Sequence, residues 1–170
     1  MEIVKNTYSD IPEIMQVFAE ARRAIARFGI EQWQNGYPDE SVVKEDISLG
    51  RSYSVRTGGV ICGLFSMIED GEPTYEVITG GEWLSGHDGK YIAVHRVAVS
   101  DSMRGRGLSK MIFGYVSEQA LKKGFPYIRI DTHEGNLAMR RTLEKNGFFR
   151  CGRIFLGNGD PRVAYEKPVI

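Results

Sequence analysis

The sequence is poor in the residues that build metal centres and disulfide frameworks. Its 170 residues include only two cysteines and three histidines. Cys62 and Cys151 stand far apart, without C-x-x-C spacing, so we expect two reduced cysteines that serve packing. The histidines, at positions 87, 95 and 133, show no metal-ligand spacing. The sequence therefore predicts neither a disulfide nor a metal site.

Long apolar runs and excess charge are also missing. No apolar run approaches the length that a membrane-spanning helix needs, and the first residues contain no apolar signal core. Lys plus Arg equals Asp plus Glu, at 22 each, so no global charge attracts nucleic acid or a membrane surface. We expect a cytoplasmic protein without a membrane or nucleic-acid partner.

The composition that is present is that of an ordinary globular protein. Of the residues, 42% are hydrophobic and 26% are charged, in a chain long enough to bury a core. No internal repeat, low-complexity tract or linker interrupts it. The sequence thus predicts a single domain over residues 1–170.

The stretch of residues 91–121 organises the chain. Tyr91–Val99 is an apolar run without Gly or Pro, which indicates a buried strand. The segment RGRG follows at residues 104–107, and apolar residues then recur at three-and-four spacing from Leu108, which predicts an amphipathic helix. A helix N-terminus that is preceded by glycines and arginines suits a phosphate or pyrophosphate group.

Two common anion-binding motifs do not match this turn. A P-loop requires Gly-Lys-Ser/Thr at the end of a longer glycine loop, which is absent. The dinucleotide fingerprint G-x-G-x-x-G begins at Gly105 and Gly107, but its third glycine position is Lys110.

A third motif fits better. The segment RGRGLS at residues 104–109 resembles the R/Q-x-x-G-x-G/A signature of the GCN5-related N-acetyltransferase (GNAT) superfamily, with Ser109 at the last position. The segment NLAMRRTLEKNGF at residues 136–148 resembles the second motif of that family, a helix opened by Asn and closed by Gly-Phe. The order and spacing of the two motifs strengthen the resemblance, which extends over nearly the whole chain.

The resemblance implies a fold and an activity. The fold would be α/β (α+β), a GNAT-like mixed, mostly antiparallel twisted sheet with helices on both faces. The activity would be acetyl-CoA-dependent N-acetyltransfer, in which a primary amine of a small molecule or peptide attacks the thioester directly. Dimers are frequent in the family, so the resemblance leaves a homodimer open.

The resemblance also implies which residues bind acetyl-CoA. The pantetheine arm would lie beside the 97–99 strand segment and pair with its backbone like an added strand. The pyrophosphate would lie on the 104–109 turn, and the second motif would contribute further contacts. The implied coenzyme-binding residues are Val97, Ala98, Val99, Arg104, Gly105, Arg106, Gly107, Leu108, Ser109, Asn136, Met139 and Arg140.

Catalysis requires a base for the amine and a proton for the departing thiolate. The family often uses a Glu on the central strand as base, but residues 90–100 contain no carboxylate. His95 is the titratable group there that acts near neutral pH, and we expect it to alternate with Val97 on one strand face. Its rivals are Glu76, Glu82 and a water chain. A satisfied core histidine is the structural alternative.

The usual general acid of the family is a Tyr in the second-motif helix, and the matching position here is Leu143. A coenzyme thiol should have a pKa near the cysteine reference of about 8.5, so its thiolate can leave without an acid. Water, His133 or Tyr165 could also donate the proton.

The resemblance implies that the segment containing the loop at residues 28–38 borders the acceptor site. This loop carries Trp33 and Tyr37, which either line an acceptor pocket or cover the edge of the core.

Residues 75–78 are predicted to extend the sheet, and residues 79–90 form a glycine-rich connection that is either a lid or merely mobile. Leu137 is predicted to face inward from the second-motif helix.

Two functions from other classes remain. The missing strand carboxylate and Leu143 would also suit a catalytically silent acyl-CoA-binding module. An RNA- or protein-interaction domain that kept only the scaffold is the third reading.

Overall fold

The computed structural model describes residues 1–169. Within this range the chain contains seven strands and four α-helices. In chain order they are β1 (Glu2–Lys5), α1 (Ile11–Ala26), α2 (Glu40–Ser48), β2 (Ser52–Thr57), β3 (Val60–Ile68), β4 (Tyr91–Val99), α3 (Leu108–Lys123), β5 (Tyr127–Thr132), α4 (Leu137–Lys145), β6 (Phe149–Phe155) and β7 (Pro161–Pro168).

The strands form one sheet in the order β1-β2-β3-β4-β5-β7-β6. The pair β4–β5 is parallel, whereas the pairs β1–β2, β2–β3, β5–β7 and β6–β7 are antiparallel. The predicted fold class, a mixed and mostly antiparallel sheet with helices, is confirmed. The helix α3 joins the two strands of the parallel pair, β4 and β5.

The chain divides into two compact units, which we describe separately. The first unit contains Met1–Met67 and His95–Leu108, and the second contains Ile68–Val94 and the chain from Ser109 onward. The prediction that residues 1–170 form one acetyltransferase domain stays a prediction.

The core of the first unit is built on the apolar face of α1. Ile14, Val17 and Phe18 recur at helical spacing and are almost completely buried. They pack with Val43 of α2, Ile61 and Leu64 of β3, and Ala98 of β4. Burial of each large aliphatic or aromatic side chain stabilises the fold by about 1.5–3 kcal/mol. This packing fixes α1 and α2 against the strand end that leads into the RGRG turn.

Local signals set the limits of α2. The Asp39 side chain accepts a hydrogen bond from the Val42 N–H at 3.0 Å, so it caps the helix N-terminus. Gly50 follows the helix with a φ of 67°, a conformation that glycine adopts without steric cost. The helix therefore begins directly after Asp39 and ends before Gly50.

The second unit has a core of its own beneath the segment that joins β3 to β4. Tyr75 and Trp83 are almost fully buried and cluster with Ala93, Ile154 and Ala164. In the sheet, Tyr127 of β5 lies opposite both Tyr91 of β4 and Pro168 of β7.

Two predictions of local structure are wrong in this unit. Residues 75–78 do not form a strand, because Pro73–Tyr75 is a 3₁₀ turn and only Thr79 pairs with Arg153 in an isolated bridge. Tyr75 instead turns its ring into the core. Leu137 is 47% exposed and does not face inward, since it stands at the first helical position of α4.

The 79–86 part of the long connection is anchored to the rest of the unit. Trp83 donates from Nε1 to the Tyr75 carbonyl at 3.0 Å. Ser85 donates from both its N–H and its hydroxyl to the Glu166 carboxylate. At Gly81 any Cβ would lie 2.0 Å from the Cys151 carbonyl oxygen, so only glycine permits this close approach. This stretch is therefore held at several points, unlike a hinged lid or a loose loop.

Candidate active site

The strongest predicted site lies where β4 ends. The Ser100 N–H donates to the Cys62 carbonyl at 3.0 Å, and residues 101–103 then form a 3₁₀ turn. Glu20 of α1 accepts a hydrogen bond from the Asp101 N–H at 2.7 Å, which ties the turn to α1. The RGRG segment follows this fixed point and leads directly into α3.

The two glycines of the segment have backbone conformations that other residues adopt with strain. Gly105 has a φ of 76° and Gly107 a φ of 79°, both in the left-handed region. A Cβ at either position would meet no atom within 4 Å, so glycine is required by backbone conformation and not by crowding. The glycines thus give a turn whose backbone a ligand can approach closely.

The helix that follows supplies hydrogen-bond donors. α3 begins at Leu108, and the N–H groups of the first turn of a helix have no partner within the helix. The positive end of the helix dipole lies at the same place. Leu108 itself is 2% exposed, so its side chain anchors this turn in the protein. Such a terminus can bind phosphate oxygens.

The two arginines of the segment differ in their contacts. Arg104 donates to the Asp101 carboxylate at 2.5 Å and to the Val99 carbonyl at 3.3 Å, so it also braces the turn. Arg106 is exposed. Both arginines are predicted to bind coenzyme phosphates. A substitution of Arg106 tests that role better, because a substitution of Arg104 would also remove the hydrogen bonds that brace the turn.

The middle of β4 is irregular. Arg96 has a φ of 54°, which is uncommon for any residue with a Cβ and interrupts the two-residue repeat of a strand. This irregularity lies between His95 and Val97, whose alternation on one strand face stays a prediction. Such backbone strain persists where the surrounding contacts enforce it. His95 and Val97 are both half-buried, whereas Ala98 lies in the core of the first unit.

The side chain of Arg96 explains what enforces this conformation. Its Nε and Nη2 donate to the two carboxylate oxygens of Asp46, each at 2.7 Å. Its Nη1 donates to the Tyr37 hydroxyl at 2.8 Å, and Asp46 also accepts from the Ser66 hydroxyl. Burial opposes the charged guanidinium, but Tyr37 and Asp46 outweigh it and raise the pKa of Arg96. The pair links β4, α2, β3 and the 28–38 loop.

The sequence reasoning did not identify Arg96 or Asp46. The available signal was a charged residue inside an otherwise apolar strand, because such a residue is rarely buried without a partner. Nothing in the local sequence indicated which carboxylate that partner would be.

Trp33 and Tyr37, two of the three aromatics of the 28–38 loop, occupy different environments. Trp33 is half-buried, packs on the core of the first unit and contacts Phe18 edge-on, with the ring centroids 5.8 Å apart. Tyr37 is 37% exposed, and its ring lies 6.4 Å from that of Trp33. Trp33 therefore covers the core edge in part, while Tyr37 presents its side chain to solvent.

A second arginine holds the backbone of this loop. Arg22 of α1 donates from Nε to the Trp33 carbonyl at 3.0 Å, and from Nη2 to the Gly36 and Pro38 carbonyls at 3.2 Å each. Trp33 also has a left-handed φ of 63°. These hydrogen bonds therefore hold the loop backbone in one conformation, which its local sequence alone does not specify.

The second predicted motif lies in the second unit. Asn136 caps α4 by accepting from the Met139 N–H at 3.1 Å. Arg140 donates from Nε to the Tyr165 hydroxyl at 3.2 Å, and this hydrogen bond is the main cause that raises the pKa of Arg140. Leu143 is fully buried, so the position of the family's general acid is here a core position.

The other candidates for proton transfer are less well placed. Tyr165 is fully buried. His133 accepts a hydrogen bond at Nδ1 from the Gly135 N–H at 2.9 Å, and burial together with nearby Arg162 lowers the pKa of His133. Its imidazole is therefore a weaker base than that of an ordinary histidine.

Glu76 and Glu82, the rival bases, are exposed. Within residues 1–169 no group of three or more His, Cys, Asp or Glu side chains is arranged to hold a metal ion. The same residues contain no helix with the length and apolar character needed to cross a membrane.

The fold and the strand–turn–helix junction agree with the two sequence motifs. A family model described as the acetyltransferase (GNAT) family matches residues 12–148. The chain belongs to the GNAT acetyltransferase family, and the resemblance seen in its two motifs is confirmed. It is an acetyltransferase enzyme.

Solved structures agree with this assignment. The chain is 35% identical to a GNAT-family acetyltransferase from Streptococcus agalactiae 2603, with a TM-score of 0.84, over 98% of this chain and 94% of that chain. A GNAT-family acetyltransferase from Listeria monocytogenes 4b F2365 is 21% identical, with a TM-score of 0.75 over the same shares.

The ribosomal-protein-S18-alanine N-acetyltransferase from Escherichia coli shares the fold, with 12% identity and a TM-score of 0.67 over 99% of this chain and 93% of that chain. No curated protein matches the chain.

Proposed function

We propose that this enzyme transfers the acetyl group of acetyl-CoA to a primary amine of a small molecule or peptide by direct attack. The observation that carries the proposal is the junction of β4 and α3, where two left-handed glycines and an exposed arginine precede a helix N-terminus. Such a junction suits a pyrophosphate, and acetyl-CoA is the acyl donor that carries one.

The residues of the proposed coenzyme site have distinct roles. Arg106 and the backbone of residues 105–109 would bind the phosphates, while Arg104 both braces the turn and adds charge. Val97 to Val99 would pair with the pantetheine amides, although one lone pair of the Val99 carbonyl already accepts from Arg104.

His95 is the proposed general base. It stands next to the irregular point of β4, and its imidazole would take a proton from the acceptor ammonium, so that the free amine can attack the thioester. Because Leu143 has no donor, the thiolate would leave unassisted or take a proton from water. The departing thiol, with a pKa near about 8.5, is a tolerable leaving group.

The test is acetyl-CoA binding by calorimetry together with thiol release over a panel of polyamines, amino acids, aminoglycosides and peptides. We expect saturable binding of acetyl-CoA and acceptor-dependent thiol release with at least one amine. Binding without release from any amine would contradict N-acetyl transfer. Absence of binding would contradict the coenzyme assignment itself.

A further inference from the structure

The left-handed backbone of Arg96 is a conformation that glycine would adopt at lower cost. Arg96 has a φ of 54°, and where a strand needs a left-handed residue, glycine is the usual choice. A residue with a Cβ is strained in this conformation, so other contacts must hold it there. Backbone strain of this kind is found most often at functional sites.

The side chain of Arg96 makes the contacts that hold this conformation. Its Nε and Nη2 donate to the two carboxylate oxygens of Asp46, each at 2.7 Å, and the two side chains are only 11% and 7% exposed. The planar guanidinium fixes this paired geometry, which a lysine cannot reproduce. Ser66 donates to the same carboxylate at 2.7 Å and so fixes Asp46 in turn. The pair therefore links residue 96 of β4 to α2 and to β3.

Residue 96 lies between the proposed base and the proposed coenzyme edge of β4. His95 precedes it, and Val97 to Val99, which would pair with the pantetheine amides, follow it. The φ at residue 96 sets the direction of the following backbone relative to His95. Ala98 packs in the core of the first unit, so the strand beyond residue 96 is anchored. The distance between the base and the coenzyme edge therefore depends on this one dihedral angle.

We propose that Asp46 is a positioning residue for acetyl transfer, which holds the left-handed backbone of Arg96 and so sets the His95 imidazole relative to the edge of Val97 to Val99. Asp46 acts through Arg96 and is not itself proposed to touch the substrate. A displacement of about 1 Å between reacting groups can lower a rate about a hundredfold, so a small change of the backbone is sufficient. The inference rests on the proposed function and adds a residue of α2 to it.

The alternative is a pair that stabilises the fold and has no effect on the reaction. In that case, the loss of the pair would lower stability, and the φ preference of the residue at position 96 would not matter to turnover. Arg96 also donates from Nη1 to the Tyr37 hydroxyl at 2.8 Å. Tyr37→Phe removes that hydrogen bond and keeps the pair, so it is the control and should leave kcat unchanged.

The experiment separates the backbone conformation from the ion pair. Arg96→Ala and Arg96→Gly are each combined with Asp46→Asn, so that neither variant keeps a buried carboxylate without its partner. Both double variants lose the same hydrogen bonds, but only glycine adopts the left-handed φ without steric cost. The kcat for thiol release and the Kd for acetyl-CoA are measured below the melting transition of each variant.

We expect Arg96→Ala/Asp46→Asn to lower kcat about ten- to hundredfold and Arg96→Gly/Asp46→Asn to stay close to the wild type. The Kd for acetyl-CoA should change little in either variant, because the phosphates would bind at the 104–109 turn. Equal kcat values in the two double variants, whether high or low, would overturn the inference. In the His95→Gln background the alanine variant should cause no further loss, because the base that it misplaces is absent. Full additivity there would overturn the link to His95.

The wild type distinguishes a failure of this inference from a failure of the proposed function. Absence of thiol release with every amine would contradict the proposed function, and the role of Asp46 with it. Release at a rate that both double variants retain would leave the proposed function intact and overturn this inference alone. Should the alanine variant fail to fold, the glycine variant still decides, since a tenfold or larger loss of kcat there would show that the pair does not act through φ.

Discussion

Two buried arginine–carboxylate pairs serve different ends in the two units. Arg129 and Glu166, in the second unit, are 2% and 0% exposed in their side chains, and Arg129 lies over the rings of Trp83 and Tyr91 at 4.1 and 4.0 Å. Its other bonds go to Ser85 and Gly86 within the same unit. These contacts all lie within the second unit, where they hold the 79–86 segment against β5 and β7.

The pair of Arg96 and Asp46, in the first unit, is different because its third bond ends on an exposed hydroxyl. A buried charge pair is often no more stabilising than a well-packed apolar group, but the loss of one partner is costly. An arginine–carboxylate pair therefore holds a loop inside the second unit, whereas the pair in the first unit also binds an exposed tyrosine hydroxyl.

The largest effect is expected from Glu166→Gln. The substitution keeps the shape of the side chain but leaves Arg129 buried without a counter-charge, so we expect the free energy of unfolding to fall by about 3–5 kcal/mol. Urea denaturation measures it. Glu118→Gln, in the exposed pair with Lys122, is the control and should leave the midpoint unchanged. If the free energy of unfolding falls no more in Glu166→Gln than in the control, the pair of Arg129 and Glu166 does not stabilise the fold as proposed.

His95→Gln tests the proposed base beside the second pair. We expect kcat at neutral pH to fall about a hundredfold, the usual size of a general-base contribution, because no other group is proposed to take the proton there. Acetyl-CoA affinity, measured by calorimetry, should stay the same. Full turnover of His95→Gln would show that His95 is not the general base. Glu76, Glu82 or water would then be the candidates for that role.

Arg106→Glu tests coenzyme binding and leaves both buried arginine–carboxylate pairs unchanged. We expect the Kd for acetyl-CoA to rise about ten- to hundredfold, because a charge-assisted contact is replaced by repulsion of the phosphates. Arg23→Glu makes the same charge change at an exposed position of α1 and should leave Kd unchanged at the same ionic strength. Equal Kd values for both variants would withdraw the phosphate role of Arg106.

The smallest effect concerns a third pair, Arg56 and Asp10, which is more exposed than the other two. Burial opposes ionisation of Asp10, but the Thr7 N–H and Arg56 hold the pKa of its carboxyl below the ordinary 3.8. A carboxyl with a lowered folded-state pKa adds stability above its ordinary pKa, and this stability is lost as the pH falls through the folded value.

We therefore expect Asp10→Asn to lower the melting temperature slightly at pH 7. The gap to the wild type should close as the pH falls below about 4. Thermal melts between pH 7 and 2.5 measure it, and a gap that stays constant into acid would contradict the lowered pKa.

Much of the fold could be predicted because its signals are local. Both ends of β4 were predicted correctly, since an apolar run bounded by polar residues marks a strand. The prediction failed at Tyr75, where β-forming residues look like a strand but a 3₁₀ turn sends the ring into the core. There, packing overrode local propensity.

The candidate site also has some features that local sequence predicts and others that depend on distant residues. The RGRG turn was visible because glycine conformation and the helix start depend on neighbouring residues. The partners of Arg96 were not, since Asp46 lies 50 residues and Tyr37 59 residues away in the chain. The irregular φ of Arg96 could not be predicted either, because no glycine marks that point of the strand.

The sequence by itself determined the strand–turn–helix junction and, through two motifs, the family of this enzyme. Those features depend on periodicity and backbone preference over a few residues. Only the tertiary structure decided which carboxylate each buried arginine binds, and that Trp33 packs on the core while Tyr37 is exposed. A buried guanidinium takes the carboxylate that the packing of helices and strands brings to it, and chain order does not specify that packing.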